Sequence, residues 1–139
     1  MTIKNLKLPV IDPCYDLGSV RNPLLRDRLR GCWGDAPTEQ FLARKDREEV
    51  GYLSLDIRKD LGIGVIYEIF VIEKYRRGGI GASLLAHSEK ISKDYGFAAT
   101  RLRPISFDSN GPTDQELTAW CARKGYVADP VTNEMEKKL

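Results

Sequence analysis

The sequence has few of the residues from which metal sites and disulfide frameworks are built. Among its 139 residues are three cysteines and one histidine. Cys14, Cys32 and Cys121 are widely spaced and form no CxxC pair, so neither a disulfide framework nor a metal site is expected. A single histidine also argues against zinc catalysis, and we interpret His87 as a packed, hydrogen-bonded core residue. We therefore predict no metal ligand in this chain.

Long apolar runs are missing as well. No run approaches the roughly 20 residues that cross a bilayer, and the first nine residues contain no apolar segment typical of a secretory signal. Hydrophobic residues make up 42% of the chain and charged residues 30%, which is typical of a globular protein in water. We expect one domain, residues 1–139, located in the cytoplasm and without a membrane partner.

Neither sign of charge dominates the sequence. The formal net charge is +2, which predicts no dominant polyanionic partner, so nucleic acid binding is not expected. Arg26, Arg28 and Arg30 form a basic cluster in a predicted helix that Asn22 caps and Pro23 opens. We interpret this cluster as a solvated helix face, and the alternative is a surface that contacts RNA.

Hydrophobic periodicity predicts helices packed on a sheet. The region before residue 36 is rich in proline and glycine and is predicted to be irregular apart from the helix that begins at residue 23. Further helices are predicted at 79–95 and at 113–124, where residues 113–116 fit a capping box. Strands are predicted at 39–44, 50–57, 64–72 and 98–105, with closing strands at 125–127 and 131–135. This order predicts an α+β sandwich, with a mixed, largely antiparallel central sheet and helices on both faces.

The turn after the strand at 64–72 carries the strongest functional signal. Two arginines follow the strand, then three glycines, and then a helix begins. A helix N-terminus presents unpaired N–H groups and the positive end of the helix dipole, and glycines let a phosphate approach the backbone closely. The pattern predicts a cradle for a pyrophosphate.

Two common phosphate-binding motifs do not fit this turn. A Walker loop needs Gly-Lys-Ser/Thr, whereas Gly81 is followed by Ala82 and Ser83. A dinucleotide fingerprint that begins at Gly79 needs a small residue where Leu84 stands. The turn therefore predicts another phosphate compound as ligand, and the alternative is that the glycines only start the helix.

The segment 71–81 resembles motif A of the GCN5-related N-acetyltransferases, the GNAT family. In that motif Gln/Arg-x-x-Gly-x-Gly/Ala follows a central strand, and Arg76, Gly79 and Gly81 occupy its fixed positions. The stretch from Trp120 to Tyr126 is similar to the aromatic-Tyr-x-x-x-Gly-Phe/Tyr ending of the family. The resemblance covers about residues 39–139.

The resemblance implies one GNAT N-acetyltransferase domain that uses acetyl-CoA. The acetyl group would pass to a primary amine on a small molecule, a peptide or a protein N-terminus, by direct attack on the thioester. Acyl-CoA would lie where two neighbouring strands separate, with its pantetheine arm against the backbone of Phe70, Val71 and Ile72. The residues implied to bind the pyrophosphate are Arg76, Arg77, Gly78, Gly79, Ile80, Gly81 and Ala82.

Glu68 is a carboxylate inside the most apolar strand. Burying a carboxylate costs several kcal/mol unless it is paired or functional. An acyltransferase needs a general base to deprotonate an ammonium substrate, and family members often carry a Glu at this point of the strand. We predict that Glu68 is this base, and the alternative is a structural ion pair or hydrogen bond to an Arg or Tyr.

The sequence departs from the family at two positions of the last helix. The family often carries Asn at its start and Tyr further on, whereas Asp114 and Cys121 stand at these places here, with Asn110 nearby. Because that Tyr is the usual donor of a proton to the leaving thiolate, Cys121 is a candidate donor, and the alternative is that it packs against the sheet.

These departures leave other functions open. One alternative is a regulatory module that binds acyl-CoA without catalysis, and another is an acetyltransferase for an RNA-linked amine, which only the arginine cluster suggests. The short N-terminal region does not identify the acceptor. A second copy of the chain, in a homodimer, is a candidate partner.

Overall fold

The computed structural model describes residues 8–32 and 37–139. Within these residues, ten regular elements follow one another, together with two short 3-10 helices at Leu17–Ser19 and Glu73–Tyr75. In chain order the ten are β1 (Val10–Pro13), α1 (Pro23–Arg30), β2 (Thr38–Lys45), β3 (Glu48–Arg58), β4 (Ile63–Val71), α2 (Ile80–Asp94), β5 (Ala99–Leu102), α3 (Asp114–Arg123), β6 (Val127–Ala128) and β7 (Met135–Lys138).

The strands form one seven-stranded sheet in the order β1-β2-β3-β4-β5-β7-β6. Neighbouring strands are antiparallel except β4 and β5, which are parallel because α2 connects them. The predicted mixed, largely antiparallel sheet is therefore confirmed. The β2–β3 hairpin turns tightly at Asp46 and Arg47, which both have positive φ, as a type I′ turn requires.

Helices cover both faces of the sheet, as predicted. On one face, Leu25 and Leu29 of α1 pack with Leu42, Tyr52 and Phe70 of the strands. On the other face, α2 and α3 pack against alternate residues of the same strands. That second core includes Phe41, Ala43, Leu53, Leu55, Ile66, Ile80, Leu84, Leu85 and Cys121.

The structure differs from the strand predictions near both ends of the chain, and of the strand predicted at 125–127 only Val127 belongs to β6. β1 was not predicted, because an edge strand with exposed Val10 and a terminal Pro13 carries no alternating pattern. β5 ends at Leu102, since residues 103–105 turn away from the sheet around Pro104. The last strand is Met135–Lys138 rather than 131–135, because Val131 lies in a turn that the side chain of Asp129 closes.

A β-bulge in β4 shapes the centre of the sheet. Ser54 lies opposite Glu68 and Leu55 opposite Ile66, so Tyr67 is an extra residue in the ladder. The parallel ladder with β5 ends at Ile66, whereas β4 continues to Val71. Residues 67–71 are therefore unpaired on the β5 side within the described sheet, and we call this the open edge of β4.

Candidate active site

The segment that follows β4 leads into α2, whose N-terminus has no side-chain cap. Gly79 is the N-cap of α2 with φ of 83°, a left-handed conformation that suits glycine, and within the described chain no side chain caps it. The first backbone hydrogen bond of α2 is donated by Ser83 to the Gly79 carbonyl, at 3.0 Å. The N–H groups of residues 80–82 therefore have no acceptor inside the helix, which is the arrangement that binds an anion. We call residues 76–82 the cradle turn.

The cradle turn lies beside the end of β4 and beside α3. A Cβ built at Gly81 would lie 3.9 Å from Cζ2 of Trp120 and 3.9 Å from Cγ2 of Val71. The fold thus brings together the glycine motif, the predicted cofactor-binding strand end and the aromatic residue of the last motif. A methyl group fits at this position, and the space between these side chains is small.

Phe70 and Ile72 differ from Val71 in where their backbone groups point. The N–H of Ile72 donates to the Val50 carbonyl of β3, at 2.9 Å. Phe70 lies in register with Tyr52 of β3. Because consecutive residues of a strand alternate between its two edges, the backbone groups of Val71 face the open edge.

Arg76 is held by protein groups on both sides of the open edge. Its Nε donates to the Val71 carbonyl at 2.8 Å, and its Nη2 lies 2.7 Å from Oδ2 of Asp108, in the segment that follows β5. The hydrogen bond from Arg76, followed by that from the N–H of Asn110, holds the pKa of Asp108 below its usual value. Sequence reasoning missed Asp108, since nothing local marks a partner 32 residues away.

Glu68 is the acceptor of three hydrogen bonds on the α1 face of the sheet. Its Oε2 lies 2.6 Å from Nη2 of Arg28, and its Oε1 accepts from the Tyr52 hydroxyl at 2.6 Å and the Cys32 thiol at 3.0 Å. The side chain is 9% exposed. The bulge at Tyr67 places Glu68 here, so the predicted base is also an ion-paired residue.

The two neutral donors to Glu68 stay protonated. Burial raises the pKa of the Cys32 thiol to about 12 and raises the pKa of the Tyr52 phenol well above its usual value. Both groups therefore donate hydrogen bonds at neutral pH. Sequence reasoning gave Cys32 no role, because its contact with Glu68 depends on how α1 packs across β3.

Arg28 does not belong to a solvated helix face, so that interpretation of the arginine cluster is wrong for this residue. Its guanidinium lies 4.0 Å from the centre of the Phe70 ring and pairs with Glu68. Arg26 donates to the Val20 carbonyl, and Arg30 pairs with Asp27 on the surface. All three arginines thus have partners within the protein.

Cys121 is 3% exposed and packs in the core between α2, α3 and the sheet. Burial raises the pKa of its thiol to about 11, so the group is protonated at neutral pH. In α3 the predicted capping box is present, with Thr113 and Glu116 bonded reciprocally, and Asp114 accepts from the Ser106 N–H.

His87 is packed but lacks the expected hydrogen bond. Its ring meets the Phe41 ring edge-on at 4.8 Å, and its buried Nε2 has no partner in the described chain. Residues 8–32 and 37–139 contain no group of three or more His, Cys, Asp or Glu that could hold a metal ion. They also contain no helix long and apolar enough to cross a membrane.

Comparison with known proteins places the chain in a family. The model of the acetyltransferase (GNAT) family matches residues 10–110, and the chain belongs to this family. A search of curated protein sequences found no match.

Solved structures of GNAT proteins share the fold. The IAA acetyltransferase from Bacillus cereus ATCC 14579 superposes with a TM-score of 0.70 at 16% identity, over 94% of this chain and 99% of that one. A GNAT family acetyltransferase from Elizabethkingia anophelis, with acetyl-CoA bound, superposes with a TM-score of 0.64 at 18% identity, over 94% of this chain and 98% of that one. The PaiA N-acetyltransferase from Thermoplasma acidophilum, in complex with coenzyme A, superposes with a TM-score of 0.58 at 23% identity, over 72% of this chain and 60% of that one.

Proposed function

We propose that this protein transfers an acetyl group from acetyl-CoA to a primary amine. The observation that carries the proposal is the uncapped N-terminus of α2 beside the open edge of β4. Family membership supports it, as do the relatives whose structures contain acetyl-CoA or coenzyme A. When bound, acetyl-CoA supplies an acyl thioester that an amine can attack directly.

The cradle turn suits the pyrophosphate of this cofactor. The N–H groups of Ile80, Gly81 and Ala82 have no acceptor inside the helix and lie at its positive end, and those of Arg77 to Gly79 precede them. The backbone of Val71 offers hydrogen bonds to the pantetheine arm along the open edge. Arg76 would contribute less as a free charge than as the side chain that holds the 103–113 segment beside this edge.

Glu68 is the residue we propose as general base. Its carboxylate would take a proton from the ammonium substrate, directly or through a water, and leave the amine free to attack. Before a substrate binds, the Glu68 carboxylate already forms an ion pair with the Arg28 guanidinium. Cys121 is the residue we propose as proton donor to the leaving thiolate, because it stands at the place of the family's usual donor. Burial raises the pKa of its thiol to about 11, which keeps the proton on the group and makes it a weaker acid than an ordinary thiol.

Release of free thiol from acetyl-CoA with a broad panel of primary amines tests the proposal. We expect at least one amine to release thiol above the rate without amine, and the product to be the N-acetylated amine. Binding of acetyl-CoA without turnover of any amine would instead support the regulatory module. Absence of binding would contradict the cofactor assignment.

A further inference from the structure

Two opposite charges are fixed side by side next to the proposed acyl site. Arg28 Nη2 lies 2.6 Å from Glu68 Oε2, Nε of Arg28 lies 3.3 Å from the Tyr52 hydroxyl, and the guanidinium rests on the Phe70 ring. These contacts fix the orientation of the guanidinium. Its third nitrogen, Nη1, has no hydrogen-bond partner among the described residues, and 21% of the side chain is exposed.

The position of the pair relative to the open edge follows from Phe70. Arg28 lies 4.0 Å from the centre of this ring, and Arg76, which bonds the last carbonyl of β4, lies 5.6 Å from the same centre. Arg28 also helps to lower the pKa of Asp108, the partner of Arg76. The guanidinium of Arg28 therefore contacts the penultimate residue of β4, next to the strand end where the proposed thioester would be attacked.

We propose that Arg28 and Glu68 select an acceptor amine that carries a carboxylate close to its nitrogen, as an α-amino acid does. The proposal rests on the proposed acetyl transfer and names its substrate class. The acceptor carboxylate would bind Nη1 of Arg28, and the acceptor ammonium would bind Glu68. Two groups that touch each other match a substrate whose opposite charges are only a few bonds apart.

The charge balance favours such an acceptor over a simple amine. Arg28 lies 2.6 Å from Glu68, so a lone ammonium at Glu68 is also close to a guanidinium, and like charges in a half-buried site repel each other. A carboxylate on the acceptor offsets this repulsion and gains a charge-assisted hydrogen bond.

The transfer step balances without a further reactant. The ammonium gives one proton to Glu68, its nitrogen forms a bond to the acetyl carbon, and the carbon–sulfur bond breaks. The nitrogen then loses a second proton, and the thiolate of coenzyme A takes one up. The products are the N-acetylated acid, coenzyme A thiol and one proton released to solvent.

Kinetics on L-amino acids and on the amide of each one test the proposal. An amide keeps the amine and the side chain and removes only the negative charge. For the best acceptors we expect kcat/KM to be at least about 10-fold higher for the acid than for its amide. Arg28→Gln should reduce this ratio to about one, chiefly by raising KM for the acid, and Arg28→Lys should retain part of it.

Arg30→Gln is the matched control, because Arg30 lies on the same helix with its side chain 64% exposed and pairs only with Asp27. This variant should keep the wild-type ratio. Equal turnover of acid and amide by the wild type, or a ratio that Arg28→Gln leaves unchanged, would overturn this inference while acetyl transfer stands. Failure of every amine to release thiol would contradict the acetyl transfer and the inference with it.

Discussion

The guanidinium of Arg76 lies 2.7 Å from the carboxylate of Asp108, and this contact joins the cradle turn to the segment that follows β5. Between them lies the open edge of β4, whose last carbonyl also accepts from Arg76. Phe107, next to Asp108, stacks on Tyr67 at the bulge with 5.8 Å between ring centres. The Arg76–Asp108 pair therefore holds the cradle turn and the segment after β5 in place on either side of the proposed acyl site.

Asp108→Asn tests the contribution of this pair to stability. The pKa of Asp108 is lowered in the fold, so the pair stabilises the protein at pH above the unfolded value near 4 and loses this effect as the pH falls further. Since both side chains are partly exposed, we expect a loss of about 0.5–1 kcal/mol at pH 7 and almost none at pH 3. Urea unfolding at both pH values measures the difference.

Asp94→Asn is the control, because it removes the exposed pair with Lys90 within α2. It should cost less than Asp108→Asn at pH 7. A loss for Asp108→Asn that persists unchanged at pH 3 would show that packing, and not the charge pair, is responsible.

Glu68→Gln tests the proposed base. The substitution keeps the shape and removes the basicity, and we expect kcat to fall by about 10²–10⁴-fold with little change in acetyl-CoA affinity. It also leaves Arg28 without its counter-charge, which destabilises a half-buried pair. Turnover is best measured with an amine that has no carboxylate, so that the proposed role of Arg28 in substrate binding does not enter.

The double variant Glu68→Gln, Arg28→Gln separates the two effects. It removes both charges of the pair, so it should recover thermal stability relative to Glu68→Gln alone without recovering turnover. A double variant that regains both would make Glu68 a structural residue.

Cys121→Ala and Cys121→Tyr test the proposed proton donor. The pKa of about 11 keeps the thiol protonated between pH 6 and 9, so a catalytic role predicts a loss of roughly 10²-fold in turnover for the Ala variant across this range. The Tyr variant should keep partial activity. Cys14→Ala, at a half-buried thiol of the N-terminal region, is the control. An Ala variant with the wild-type pH profile would show that Cys121 only packs.

His87 predicts a pH dependence of stability. Burial, followed by the charge of Lys90, lowers its pKa, while Asp94 of the same helix and Asp12 of β1 act in the opposite sense. The fold therefore favours the neutral ring, and stability should fall as the pH drops below about 6.5, the unfolded value. His87→Leu should flatten this part of the profile of unfolding free energy. An identical pH profile in the variant would show that His87 is not the cause of this pH dependence.

Local patterns predicted the elements that follow from periodicity and caps. The helices after Asn22 and Thr113 begin where their caps indicated, α2 lies within the predicted range 79–95, and the continuous apolar run of β4 lies at the centre of the sheet. These features depend on residues close together in sequence, so one sequence suffices to find them.

The contacts around the site could not be predicted in the same way. The bulge at Tyr67 is a property of the β3–β4 register, and the pairs of Glu68 with Arg28 and of Arg76 with Asp108 join residues 40 and 32 positions apart. The one local signal was a carboxylate in an apolar strand, which pointed to a partner or a function without distinguishing them.

The cradle turn as the site for acetyl-CoA is the central claim, and calorimetric titration of wild type, Gly81→Ala and Gly81→Val tests it most directly. An added methyl group meets only ordinary contacts at 3.9 Å, and alanine favours the helix, so the Ala variant should bind within a few-fold of wild type. The branched side chain of Val overfills the narrow space between Val71 and Trp120 and so displaces the turn whose N–H groups would hold the pyrophosphate, and we expect at least about 10-fold weaker binding. Equal affinity of wild type and Gly81→Val, or no binding by the wild type, would contradict the account.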